Sequence, residues 1–137
     1  HRLLSIDDYD VLLSGSADAA YVAQTITVPS GGSATIDTFD ATVYDSAIIE
    51  YSVKSSGGAG NIYSRTGSLM ISGDKDLDDA ALVDNGVVVE NGYSASGLLE
   101  FTASMSSDII NVTATNGLTD GTNRAATVKI IVRKWLG

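Results

Sequence analysis

Ala34-Thr-Ile-Asp-Thr-Phe-Asp-Ala-Thr-Val-Tyr-Asp-Ser-Ala-Ile-Ile-Glu-Tyr-Ser-Val-Lys54 reads as a short strand, a corner carrying Phe39 and Tyr44, and a long strand from Ser46. In the long strand Ile49, Tyr51 and Val53 share one face, and Glu50, Ser52 and Lys54 the other. Successive side chains of a strand point to opposite sides, so this alternation suits a sheet with one buried and one wet face. The chain on either side reads as further strands packed around this one.

Upstream, Gln24–Val28 sets Ile26 and Val28 against Thr25 and Thr27, Pro29-Ser-Gly-Gly32 is a turn, and Ser33–Asp37 is the return strand. Downstream, Ser55–Asn61 is a glycine-rich hairpin tip that leads into a strand, where a phosphate-binding loop would lead into a helix. Ile62–Ser72 follows, with Tyr63, Leu69 and Ile71 on one side, then an acidic turn at Asp74–Asp79. Ala81–Glu90 and Leu98–Ser104 continue the pattern, joined through Asn91-Gly92-Tyr93. A tight turn at Ser106-Ser107 pairs Phe101, Ala103 and Met105 with Ile110, Val112 and Ala114. The last strand, Ala125–Lys134, turns Val128, Ile130 and Val132 inward, with Lys129, Ile131, Arg133 and Trp135 facing the other way. About eight strands at this spacing predict an all-β fold, an antiparallel β-sandwich over residues 24–137.

Residues 1–23 differ. Ser5 with Asp8 fits a capping box, and Asp7 and Asp8 suit the positive end of a helix dipole. A helix of about two turns would run from Ile6 to Leu13 and stop at Gly15, too short to stand alone. The segment is therefore expected to be a short helical or extended arm, lying on its own sandwich or reaching a partner. Leu3, Leu4, Ile6, Tyr9, Val11, Leu12 and Leu13 crowd large apolar groups into 11 positions, and such clusters invite association. Leu4, Ile6, Tyr9, Leu12 and Leu13, with Tyr93 and Trp135 at strand ends or loops, are the candidate partner-binding residues.

Composition narrows the function. The 137 residues carry 17 acidic and 8 basic groups, a net charge of −9, which repels nucleic-acid phosphates and anionic lipid surfaces. Neither is expected as a ligand. There is no Cys, hence no disulfide or thiolate metal site. No apolar run reaches the ~20 residues of a membrane helix, and the opening His-Arg-Leu-Leu-Ser is too short and too soon acidic for a signal peptide. Four of the eight basic residues, Arg124, Lys129, Arg133 and Lys134, fall in the last 14 positions. That asymmetry suits contacts between copies, and equally pairing within one chain.

Catalytic and metal chemistry find little support. The sole imidazole is His1, so a Ser–His–Asp arrangement has no base within the strands. Glu50, Glu90 and Glu100 alternate with apolar neighbours and are expected in solvent, not as an acid–base pair. Asp74-Lys-Asp-Leu-Asp-Asp79 resembles the start of an oxygen-rich Ca²⁺ loop, but position six is Asp79 in place of Gly and position twelve Asn85 in place of Glu. The turn is expected to be metal-free. No enzyme activity and no cofactor are expected.

Ile36-Asp-Thr-Phe-Asp-Ala41 with Tyr44-Asp-Ser-Ala47, the apolar strand end Leu69-Met-Ile-Ser-Gly-Asp74, the hairpin Gly97-Leu-Leu-Glu-Phe-Thr-Ala-Ser104 with Ile109-Ile-Asn-Val-Thr-Ala114, and the closing Thr127-Val-Lys-Ile-Ile-Val-Arg133 come in a familiar order. Over residues 24–135 the chain resembles a small β-sandwich domain of tailed-bacteriophage virion structural proteins, of the fibre, tail-tip or capsid-accessory type. Asp45 stands where that family carries a basic residue. The resemblance implies a virion component that assembles with copies of itself, as a homo-oligomer such as a trimer, or with other virion proteins, and it carries over no catalytic residue. The alternative is a carbohydrate-binding or adhesin-like module on a host-recognition fibre, for which Tyr93, Tyr63 and Asn91 are the candidate glycan contacts.

Overall fold

The structure, a computed structural model, describes residues 17–19, 23–56, 62–91, 99–117 and 124–137. Among them the chain forms nine strands, β1 (Ala17–Ala19), β2 (Gln24–Val28), β3 (Ser33–Asp40), β4 (Tyr44–Ser56), β5 (Ile62–Asp74), β6 (Asp79–Asn91), β7 (Glu100–Ser106), β8 (Ile109–Thr115) and β9 (Ala126–Leu136). They build two antiparallel sheets. The larger runs β1-β9-β4-β5-β6, with β2 sharing the β1 edge of β9, and the smaller runs β3-β8-β7. The eight strands expected from alternation are β2–β9. The ninth, β1, comes from residues 1–23. The helix expected over Ile6–Leu13, and Tyr93, lie outside the described residues, as does most of the glycine-rich hairpin tip.

The two sheets close on one core. Ile49, Tyr51 and Val53 of β4, Tyr63, Leu69 and Ile71 of β5, Phe101 of β7, Ile110, Val112 and Ala114 of β8, and Val128, Ile130 and Val132 of β9 are all buried. At ~25 cal/mol per Å² of apolar surface removed from water, this burial is the main force holding the sheets together. The β7–β8 hairpin has the expected register, Phe101 opposite Ala114, Ala103 opposite Val112 and Met105 opposite Ile110. Its turn centres on Ser107 and Asp108, both at positive φ (52° and 65°), the left-handed pair that a two-residue hairpin demands.

The corner after β3 differs from its expected form. β3 does not stop at Asp37. A bulge between Thr35 and Asp37 breaks its register against β8, and the strand runs on to Asp40. The extra residue resets the alternation, so Ile36 and Phe39, three positions apart, both face the core. A strict period of two cannot show this. Asp40 then closes the corner, its Oδ1 accepting from the Thr42 N–H (2.8 Å) and hydroxyl (2.6 Å); these bonds hold its carboxyl below the ordinary value. The Ala41 N–H donates to Asp108 O (2.8 Å) and the Gly137 N–H to Val43 O (2.9 Å), tying the corner to the β7–β8 turn and to the end of β9.

Lys134 roofs this corner, with its ammonium 5.8 Å from the centre of the Phe39 ring, 5.4 Å from that of Tyr44 and 3.7 Å from Asp37. Burial raises the Asp37 carboxyl above its ordinary value, with Lys134 pulling the other way. At the opposite end Asn116 acts as a clamp. Its Nδ2 donates to Val28 O (3.2 Å) and Arg124 O (2.8 Å), and its N–H to Gly32 O (2.7 Å), joining the ends of β2 and β8 to the start of β9.

Candidate functional site

Two features of the larger sheet are more than plain core. The first is a polar knot on its inner face. Cross-strand register sets Tyr51 in one row with Gly67 and Gly86, and the phenol lies across the two glycines. The Tyr51 hydroxyl donates to Asp84 Oδ1 (2.7 Å) and accepts from Arg65 Nε (3.0 Å), while Arg65 Nη2 pairs with Asp84 Oδ2. Arg65 Nη1 reaches Leu99 O (2.7 Å) and the Tyr63 hydroxyl (3.2 Å). The guanidinium also stands 5.7 Å from the centre of the Phe101 ring, which itself packs 4.7 Å from that of Tyr51. Burial, and then donation to Asp84, pushes the Tyr51 hydroxyl up to about 12. These groups are occupied with one another, as a strut between β4, β5, β6 and the chain entering β7.

The second feature is the outer face of the same sheet. Cross-strand pairs set Arg133, Ile48, Met70 and Val83 in one row, beside a row of Trp135, Ser46, Ser72 and Ala81. All of these but Arg133, together with Asp45 and Leu136, line a trough of about 750 Å³, floored by Ile48, Met70 and Val83 and walled at one end by Trp135 and Leu136. Met70 is 57% exposed and Val83 65%, and further along β6 Val87 and Val89 reach 72% and 68%. Nothing among the described residues covers this face. Such a run of apolar side chains in water marks an interaction surface. Glu50, Lys129 and Arg133 share the face, with Arg133 Nη2 3.6 Å from Glu50 Oε1 and Lys129 farther along β9.

Of the residues singled out from sequence, Trp135 lies half-buried at the trough wall. Leu4, Ile6, Tyr9, Leu12, Leu13 and Tyr93 fall outside the described residues. Tyr63 is fully buried against Arg65 and cannot serve as an exposed sugar platform, which corrects its place among the candidate glycan contacts; a side chain that faces the core with Leu69 and Ile71 follows the alternation of β5. The acidic turn spends its first carboxylate on itself, Asp74 Oδ1 accepting from the N–H groups of Asp76 (2.8 Å) and Leu77 (3.2 Å). Among the described residues, no group of three or more His, Cys, Asp or Glu side chains is placed to hold a metal ion.

The outer-face residues Met70, Val83, Val87 and Val89 are what sequence reading passed over. Their signal was parity. Met70 alternates with the buried Leu69 and Ile71, and Val83, Val87 and Val89 alternate with Asp84 and Gly86, which face inward.

No known family profile matches the chain, and no curated protein matches it significantly. Among solved structures, the chain is similar to the tailspike protein of Acinetobacter baumannii phage AM24, with a TM-score of 0.44 and 9% identity over 85% of the chain. It spans about a quarter (26%) of that protein's length.

Proposed function

We propose that this chain is a non-enzymatic structural subunit of a bacteriophage virion, which assembles with copies of itself or with other virion proteins through the sandwich surface and the N-terminal arm. The observation that carries the reading is the outer face of the larger sheet. Met70, Val83, Val87 and Val89 stand in solvent along one side of the larger sheet, and a subunit surface of this kind is satisfied by a neighbour. The order of sequence features over residues 24–135 supports the same reading. The carbohydrate-binding alternative loses Tyr63 to the core.

The test has two parts. Sedimentation of the purified full chain across a wide concentration range should show self-association that Val87→Lys with Val89→Lys weakens. Mass spectrometry of purified particles should find the chain at a stoichiometric copy number. A chain that stays monomeric at millimolar concentration and is absent from particles would overturn the reading.

A further inference from the structure

We infer that in the free subunit the trough on the outer face is filled by residues 3–13 of the same chain. The inference concerns the subunit before it meets any neighbour and does not rest on the virion reading.

Three observations point to this occupant. First, the arm leaves the sheet at the lip of the trough. β1 pairs with the end of β9, Ala17 directly opposite Trp135, and Trp135 is the trough wall. Only Ser14, Gly15 and Ser16 separate Ala17 from Leu13. Three residues span up to ~10 Å, and one step across a ladder is ~4.8 Å, so a turn at Gly15 brings Leu13 onto the outer face.

Second, length and chemistry match. The trough crosses from β9 to β6, three strand spacings or ~14 Å. The helix that the sequence predicts over Ile6–Leu13 is ~12 Å long and carries Ile6, Tyr9, Leu12 and Leu13 toward a floor of Ile48, Met70 and Val83. Third, the charges are opposite. Asp7, Asp8 and Asp10 lie in the arm, and Arg133, which shares its charge with Glu50 at 3.6 Å, flanks Ile48 in the floor row, with Lys129 farther along the same face and Asp45 the one carboxylate among the trough's described lining. Attachment to the same chain gives the arm an effective concentration in the millimolar range or above, which a second copy in dilute solution cannot match.

Trp135 is the single tryptophan, so its emission reports on the trough alone. In the full chain that emission should be blue-shifted, shielded from iodide and the same at nanomolar as at micromolar protein. Leu12→Asp with Leu13→Asp in the arm, and Met70→Lys with Val83→Lys in the floor, should each shift it to the red and raise quenching severalfold. The combined variant should go no further, because both sets remove one contact. Met70 and Val83 are solvent-facing in the sandwich, and the arm variants lie outside it, so melting checks the fold separately. Arm variants that leave the Trp135 emission unchanged would overturn the inference. So would a blue shift that vanishes on dilution, which would assign the occupant to another copy.

Discussion

The hydroxyl of Tyr51 occupies the space into which a Cβ on residue 86 would project, so the ring can lie along the sheet only because Gly86 has no side chain. Gly67 is fitted to the same ring, a Cβ there falling 2.9 Å from the hydroxyl. The two glycines act as a bed for an aromatic on the neighbouring strand, and the bed aims the hydroxyl at Asp84 and Arg65.

Gly86→Ala should therefore destabilise the protein by about 1–3 kcal/mol, the usual range for overpacking, measured as a lower urea midpoint at unchanged m-value. Tyr51→Phe in the same chain removes the clashing oxygen. The double variant should lose less than the sum of the two single losses, whereas strict additivity would separate the glycine from the phenol.

Arg65 and Asp84 form a nearly buried pair, 16% and 17% exposed. Arg65→Met leaves the carboxylate without its cation and should cost about 2–3 kcal/mol, somewhat below the figure for a fully enclosed pair. Arg65→Met combined with Asp84→Asn should recover part of that loss in the same denaturant titration. A double variant no more stable than Arg65→Met would show that the ion pair is not the source of the cost.

Alkaline pH should weaken the fold through Tyr51. Its pKa is pushed up to about 12 in the folded protein, against ~10 in an unfolded chain. Between those values the unfolded state has released the proton and the folded state has kept it, so stability falls as pH rises through this window and is unaffected below it. The difference in stability between wild type and Tyr51→Phe, followed from pH 8 upward, should be constant until about 10 and then shrink. A difference that stays constant through 12 would contradict the placement of the hydroxyl.

Phe101 is 4% exposed and packs at a tilt of 46° against the Tyr51 ring and beside the Arg65 guanidinium. Phe101→Ala removes that contact and opens a cavity between the sheets, with an expected cost of about 3–5 kcal/mol in a thermal or urea titration. A loss below 1 kcal/mol would mean that the ring does not seal the core.

The β7–β8 turn should be improvable. Ser107 and Asp108 hold positive φ angles that Asn and Gly adopt with less strain. Ser107→Asn with Asp108→Gly should raise stability by about 0.5–1 kcal/mol, the relief of left-handed strain less the extra freedom that Gly gives the unfolded chain, visible as a higher melting temperature. A fall would indicate that the Asp108 carbonyl bond to Ala41 needs the present residues.

Alternation by itself determined most of the strands here and the inward residues of β4, β5, β7, β8 and β9, because a period of two divides a strand into two faces and apolar groups collect on one. Composition determined as much about ligands, since a chain with net charge −9 and no Cys carries those properties into any fold. What the period cannot fix is which of two apolar faces is covered. On β6 the inner face holds Asp84, Gly86 and Val88 and the outer face Val83, Val87 and Val89, a choice made by partners distant in sequence. Arg65 satisfies Asp84 from 19 residues away, and Tyr51 fills the space over Gly86. The bulge that turns both Ile36 and Phe39 inward was decided in the same way, by the register of β3 against β8. So was the meeting of Trp135, Ile48, Met70 and Val83 in one trough, because neighbours on a sheet are set by hydrogen-bond pairing between strands, and a single strand's sequence does not encode its partner.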